Sequence, residues 1–314
     1  MPGAALRTGV FVTAKLPDRA RSILEGFDLF EDETDDATLA QCQVLMVWPT
    51  RAGKELLGKM RALRMVQSLS AGVDGLDFAS LPGGVRVYSN AGAYTEPVAE
   101  HAWGLLLGAA KGLHARRLRV VPRKLHGKTL LVIGCGAIGS EIARLAKTLE
   151  MHTIGVSRSF KEPSFFDEKH GTEDLRKVIN AADGIAIALP LTKKTVGLID
   201  YDTLKLASES VTIVNIGRGE TVSEKGLIKW LRERPESRYT TDVFWKKDGK
   251  ETFETDAWSL TNFSGTLHIS GVPLGEKLEH PIVEAATNVR RFLETGDALN
   301  RIDLTEYMSS PTRP

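Results

Sequence analysis

Four apolar residues, Leu130-Leu131-Val132-Ile133, run directly into Gly134-Cys135-Gly136-Ala137-Ile138-Gly139, and a helical pattern continues over 140–149. A strand, a glycine-bearing turn and a helix in that order leave few folds open. The first glycine permits a tight turn, the second lets backbone approach a pyrophosphate, and the third allows the helix to pack closely on the strand. The helix amino terminus adds N–H groups and a positive dipole end suited to phosphates. The spacing therefore predicts dinucleotide binding at Gly134, Gly136, Ala137, Ile138 and Gly139 rather than a merely structural glycine turn.

Around this string, short apolar runs alternate with helical patterns almost from end to end, the mark of parallel sheets covered by helices on both faces. Strands are predicted near 9–14, 44–48, 65–69 and 85–88, with helices near 18–24, 37–42 and 53–60 between them. A longer helix near 96–113 repeats Val98, Ala102, Leu105, Leu106 and Ala109 at helical spacing. From Lys128 a second series offers six strands, near 129–133, 153–156, 184–189, 211–216, 239–244 and 265–269. A closing helix near 281–292 is marked by Ile282, Ala285, Ala286 and Val289. The expected fold is α/β, with two doubly wound parallel-sheet domains, and 314 residues suit two domains of about 150 each.

Composition removes other classes. Lys+Arg at 41 against Asp+Glu at 40 gives a net charge of +1, so no global field draws the chain to nucleic acid or an acidic membrane. The basic run Arg116-Arg117-Leu118-Arg119 is short and carries no aromatic residue, and reads as a solvated linker. No apolar run approaches the roughly 18 residues of a membrane span. Met1-Pro2-Gly3 lacks the basic start and long apolar stretch of a secretory signal, so a cytoplasmic location is expected. Cys42 and Cys135 alone make neither a disulfide framework nor a four-ligand zinc site; both read as small buried thiols, and no metal is expected.

The residues just after the second strand of this series narrow the cofactor. An NAD-selective site places Asp or Glu there to accept bonds from the ribose hydroxyls. This chain has Val156-Ser157-Arg158-Ser159. Ser157 adds no negative charge and Arg158 can pair with a 2′-phosphate, with Ser159 beside it, so NADP(H) is expected over NAD(H). Reacting groups gather where strands end: Asn215-Ile216-Gly217-Arg218-Gly219, Asp242-Val243-Phe244, and Thr266-Leu267-His268-Ile269-Ser270-Gly271. An Arg, an Asp and a His at one sheet edge could reduce a keto acid.

With these motifs the sequence resembles the D-isomer-specific 2-hydroxyacid dehydrogenase family. Further strings carry the resemblance: Gln67-Ser68-Leu69-Ser70-Ala71-Gly72-Val73-Asp74, Val98-Ala99-Glu100-His101 and Leu189-Pro190-Leu191-Thr192. The resemblance implies a Rossmann cofactor domain, 95–274, inserted into a flavodoxin-like catalytic domain made of 1–94 and 275–314. It implies that Arg218 binds the substrate carboxylate and polarises the keto oxygen, that His268 protonates the developing alkoxide, and that Asp242 fixes the nicotinamide carboxamide. Leu189, Pro190, Thr195, Ile216, His268 and Gly271 join the expected cofactor contacts. Backbone N–H groups at Ala71 and Gly72 resemble the family's second carboxylate clamp. Trp48 is a candidate for the substrate pocket, with a core position as its alternative.

One position departs from the family pattern. A glutamate five residues after the matching Asp pairs with the histidine in the family and keeps it protonated. Here that position is Lys247. A short insertion over 246–249, bulging outward and eased by Gly249, would move the carboxylate to Glu251, with Asp248 and Glu254 as alternatives. Leu267 stands where the family usually has Pro.

The expected function is NADP(H)-linked reduction of a small 2-keto acid such as glyoxylate or hydroxypyruvate to the D-2-hydroxy acid, in a homodimer. The alternative is a dinucleotide-sensing corepressor-like binding protein with little catalysis.

Overall fold

A computed structural model describes residues 8–31, 34–113, 121–271 and 279–307; the basic run at 116–119 lies outside the described residues. The chain divides into two compact units, Met1–Ala93 with Leu274–Pro314, and Tyr94–Pro273.

The first unit holds five strands, β1 (Gly9–Val12), β2 (Asp28–Glu31), β3 (Cys42–Val47), β4 (Met65–Ser68) and β5 (Arg86–Tyr88). All pair in parallel in the order β2-β1-β3-β4-β5, the flavodoxin-like arrangement. Central strands read as almost unbroken apolar runs because helices cover both faces. On one face Val10, Val12, Val44 and Met46 pack with Ile282, Val283, Ala286 and Phe292 of the closing helix Glu279–Thr295. On the other, Phe11, Leu45, Val47 and Val66 meet Leu57 and Met60. Polar bonds fix the closing helix in register: Asn288 Nδ2 donates to Gln67 Oε1 at 2.8 Å, and Asn90 Nδ2 donates to the Pro281 carbonyl at 2.8 Å.

The second unit holds seven parallel strands, β6 (Thr129–Ile133), β7 (His152–Val156), β8 (Glu168–His170), β9 (Gly184–Ile187), β10 (Thr212–Asn215), β11 (Arg238–Thr241) and β14 (Phe263–Gly265). Between the last two lies a small hairpin, β12 (Lys246–Lys247) with β13 (Lys250–Glu251). The sheet order is β14-β11-β10-β9-β6-β7-β8. The order reverses between β6 and β9, the switch point at which a doubly wound sheet opens a crevice for ligands. The helix Thr95–Lys111 packs against β10 and β11 and against the helix Ala137–Thr148.

Several strands depart from the sequence reading: β1 and β11 stop at Val12 and Thr241, short of 14 and 244, and β12 and β13 stand where the sequence reading gives only an outward bulge. β2 and β8 are additional to that reading: both are edge strands, and Glu168-Lys169-His170 carries no apolar side chain, so ladder bonds rather than apolar periodicity make it a strand. The last strand, expected over 265–269, ends at Gly265 because His268 has φ +53, outside the extended region. Leu267 and Ile269 are each 50% exposed instead of buried. Among the described residues no helix is long and apolar enough to cross a membrane. Cys42 and Cys135 are buried free thiols, pushed up by burial to about 11 and about 12.

Candidate active site

The glycine turn comes after β6 at the switch point. Gly134 has φ +97, which makes the turn, and a Cβ added at Gly139 would lie 1.9 Å from the Gly134 carbonyl oxygen, so only hydrogen fits there. A Cβ added at Gly136 would meet nothing within 4 Å, so that side of the turn is open space beside the first helical residues, Ala137 and Ile138. These three features fit a dinucleotide's pyrophosphate. Leu189 is buried and Pro190 exposed after β9; the Thr195 hydroxyl donates to the Pro190 carbonyl at 2.6 Å. Ile216 is buried, its N–H donating to the Ile187 carbonyl at 3.0 Å. Beyond β7 the Ser157 N–H donates to the His170 carbonyl at 3.0 Å, with Arg158 and Ser159 exposed. Gly271 lies against the Tyr94 ring.

Arg218 stands three residues beyond β10 in a loop fixed from both sides. Asn215 Oδ1 accepts from the Gly217 N–H at 3.0 Å and Asn215 Nδ2 donates to the Arg218 carbonyl at 3.0 Å, which also accepts from the Thr221 hydroxyl at 2.7 Å. A Cβ at Gly219 would be 2.3 Å from the Phe244 carbonyl carbon, so the glycine lets the Arg218 loop lie directly on the segment after β11. The half-buried Arg218 guanidinium donates through Nη1 to the Gly217 carbonyl at 2.7 Å.

Asp242, one residue beyond β11, is fully buried. Its Oδ1 accepts from the Thr266 hydroxyl at 2.6 Å and the Ile269 N–H at 2.9 Å, and its Oδ2 from the Ser270 N–H at 3.0 Å. Burial pushes its pKa up, but hydrogen bonds from Ser270, Thr266 and Ile269 outweigh it, and the net direction is down. The carboxylate expected to meet a carboxamide is thus turned onto the loop that carries His268.

The segment after Trp245, where the sequence reading expects an insertion, forms the β12–β13 hairpin. Asp248 and Gly249 have φ of +52 and +77, the left-handed pair of a two-residue type I′ turn, for which Asp-Gly is a preferred sequence. Lys246 pairs with Glu251, so the turn returns Glu251 beside the strand start. Glu251 Oε1 accepts from the Phe244 N–H at 2.7 Å and Oε2 lies 2.5 Å from His268 Nδ1. Asp248 and Glu254 are exposed, and Lys247 donates to the Glu254 carbonyl. The His268 side chain is 41% exposed.

Direct bonds therefore join Asp242, Glu251 and His268 into one network, with Arg218 on the neighbouring strand end. Trp48, Ala71 and Gly72 belong to the first unit. There Trp48 comes after β3 and packs, half-buried, against the core that holds Val12 and Met46. Ala71 and Gly72 come after β4 in a loop whose Gly72 carbonyl accepts from the Ser70 hydroxyl at 2.8 Å. Sequence reasoning gives no role to Thr266, Asn215 or His101, whose Nε2 lies 2.7 Å from the Thr266 hydroxyl. The available signals are slight: His101 closes the Val98-Ala99-Glu100-His101 string, Thr266 stands two residues before His268, and Asn215 three before Arg218.

These residues define a class: a doubly wound dinucleotide-binding domain whose carboxyl edge presents a guanidinium and a carboxylate-paired imidazole. Comparison with known proteins narrows it. The model of the D-isomer specific 2-hydroxyacid dehydrogenase, NAD binding domain, matches residues 86–270. A glyoxylate reductase of Pyrococcus furiosus is 28% identical over 84% of this chain and 86% of its own length. One from Aeropyrum pernix is 30% identical over 76% and 79%. A D-isomer specific 2-hydroxyacid dehydrogenase family protein of Aeromonas salmonicida superposes with a TM-score of 0.78 at 25% identity, covering 95% of this chain and 99% of its own. The chain belongs to the D-isomer specific 2-hydroxyacid dehydrogenase family and is an oxidoreductase of that kind.

Proposed function

We propose that the protein reduces a small 2-keto acid, with glyoxylate or hydroxypyruvate as the first candidates, to the D-2-hydroxy acid with NADPH, and that it works as a homodimer. The observation that carries this reading is the Glu251–His268 pair, 2.5 Å apart. With Nδ1 held by a carboxylate, the Nε2 nitrogen of His268 is the one left to serve a substrate. A nicotinamide cofactor supplies the hydride when bound. Its pyrophosphate is assigned to the glycine turn, with Leu189, Pro190, Thr195, Ile216 and Gly271 around the rest.

Arg218 offers a planar fork that binds the substrate carboxylate and the adjacent keto oxygen, opposing the negative charge that grows there as hydride adds to the carbonyl carbon. His268 then gives its Nε2 proton to the alkoxide, completing the hydroxyl, and takes it back in the reverse direction. Backbone N–H groups at Ala71 and Gly72 are candidates for a further carboxylate clamp, and Trp48 is a candidate for substrate contact. Arg158, with Ser157 and Ser159, supports NADPH over NADH because a guanidinium pairs with a 2′-phosphate and no acidic residue stands just after β7 to repel it. The first unit is then the catalytic domain and the second the cofactor domain.

A protein that only sensed dinucleotide would have no use for an imidazole paired with a carboxylate that a separate hairpin supplies, which favours chemistry over the corepressor-like alternative. The test is a panel of 2-keto acids assayed with NADPH and NADH, with product configuration determined. Turnover of glyoxylate or hydroxypyruvate to the D-product with NADPH is expected. Tight cofactor binding without turnover of any keto acid would overturn the reading.

A further inference from the structure

His268 carries the proposed proton, and its backbone is held where non-glycine residues rarely sit, at φ +53. Such a conformation persists only when its surroundings over-determine it. Here the flanks are all tied to one residue. The Thr266 hydroxyl donates to Asp242 Oδ1 at 2.6 Å, the His268 N–H to the Asp242 carbonyl at 2.8 Å, the Ile269 N–H to Oδ1 at 2.9 Å, and the Ser270 N–H to Oδ2 at 3.0 Å. Asp242 is thus the buried post around which residues 266–270 are wound.

Thr266 is the point at which this loop is tied to a helix. Its oxygen lies 2.6 Å from Asp242 Oδ1 and 2.7 Å from Nε2 of His101. A threonine hydroxyl has one hydrogen, and an ionised carboxylate only accepts, so that hydrogen points to Asp242. The oxygen then accepts, and His101 must be the donor, with its hydrogen on Nε2. A ring with that hydrogen donates whether or not Nδ1 is also protonated. His101 sits mid-way along Thr95–Lys111, whose Val98, Ala102, Leu105 and Leu106 are buried and whose contacts with β10 and β11 make it a rigid support. The His101 side chain is itself 24% exposed, so its contribution is the directed bond rather than the filling of a core.

We propose that His101 is a positioning residue for His268, acting through Thr266 and Asp242: its Nε2–H fixes the Thr266 hydroxyl so that Asp242 can hold residues 266–270 with His268 in the left-handed conformation. This rests on the reading of His268 as proton donor for its catalytic consequence, though not for its structural one.

The test compares His101→Leu with His101→Gln, whose amide nitrogen can still donate, and Thr266→Val with Thr266→Ser. Amide hydrogen exchange at Ile269 and Ser270 is measured in each full-length variant, beside kcat and KM for keto-acid reduction, the dissociation constant for NADPH, and Tm. In H101L and T266V exchange is expected to rise at least tenfold at those two amides, and kcat to fall at least tenfold, with NADPH affinity unchanged and the domain still folded. In H101Q and T266S both are expected within about threefold of wild type. If H101L keeps wild-type exchange, or H101Q is as impaired as H101L while folded, His101 does not position the loop. Exchange that follows this pattern in a protein that reduces no keto acid would leave the clamp standing and remove the proposed function. Should H101L fail to fold, the T266V and T266S pair decides by the same criteria.

Discussion

Glu251 grips two groups with one carboxylate: the Phe244 N–H at 2.7 Å through Oε1 and His268 Nδ1 at 2.5 Å through Oε2. The backbone bond fixes where the carboxylate lies, and the second oxygen fixes the ring. Glu251→Gln keeps the size of the side chain and removes its charge. Losing a charge-assisted bond costs about 1.5–3 kcal/mol, a fall in kcat of about 10- to 100-fold if the bond is felt in full at the transition state. Asp248→Asn and Glu254→Gln, both at exposed positions, are expected within twofold of wild type. Steady-state rates of the three variants check this. A silent Glu251→Gln beside a damaging Asp248→Asn or Glu254→Gln would assign the partner carboxylate elsewhere.

The hairpin turn makes a separate prediction. Gly249 has φ +77, and a β-branched residue is strained there. Gly249→Val should cost about 1–2 kcal/mol of local distortion, enough to draw Glu251 from His268 for part of the time. A several-fold fall in kcat is expected with NADPH affinity unaltered, since the glycine turn after β6 is not touched. Equal losses in both quantities would mean that the hairpin supports the whole domain.

Arg218→Lys tests the fork. Lysine keeps the charge but cannot span a carboxylate and the neighbouring keto oxygen with two parallel donors. A fall of two or more orders of magnitude in kcat/KM is expected, roughly 2.7 kcal/mol of transition-state stabilisation. Tm should fall little, because the Asn215 side chain and the Thr221 hydroxyl bond the backbone of the loop whatever side chain stands at position 218. Near wild-type turnover would assign the carboxylate to another cation.

How far each element can be read from the residues depends on how it is determined. The glycine turn, the buried strands β6, β9 and β10 and the closing helix are set by local pattern: apolar runs, 3.6-residue spacing and backbone positions that no side chain fits. β8 is set by pairing with β7, which leaves no trace in Glu168-Lys169-His170. The end of β14 is misread from sequence because Leu267 and Ile269 are apolar, while the constraint that breaks the strand comes from Asp242, 27 positions before Ile269. Glu251 is within reach of sequence reasoning because Asp248-Gly249 names its own turn. His101 and Thr266 are not, since a bond between a helix and a strand end 165 positions apart has no local signature.

Arg158→Ala tests cofactor choice. Removing a charge-assisted contact to a 2′-phosphate should weaken NADPH by about tenfold or more, on the order of 1.5–3 kcal/mol, and leave NADH nearly unchanged. KM for each cofactor gives the ratio. A ratio equal to that of wild type would show that Arg158 does not read the phosphate.

Asp242 yields a dependence on acidity. Burial raises its pKa, but the bonds from Ser270, Thr266 and Ile269 carry it below the ordinary 3.8. A carboxyl group depressed in the folded state contributes stability that is complete above its unfolded value and is lost as pH falls through its folded value. Asp242→Asn removes that contribution and turns an amide N–H₂ toward donors, which should cost about 1.5–3 kcal/mol near neutrality. Denaturant unfolding of wild type and variant should therefore differ by a constant amount above about pH 5, roughly one unit above the ordinary carboxylate value. The gap should narrow only in stronger acid, below 3.8, where the unfolded chain takes up a proton at this position before the folded carboxylate does. A gap that instead widens as pH falls from about 5 to 4 would mean that burial has carried the folded pKa above the unfolded one and, rather than the hydrogen bonds, governs Asp242, and that the post beneath His268 is held less firmly than its geometry requires.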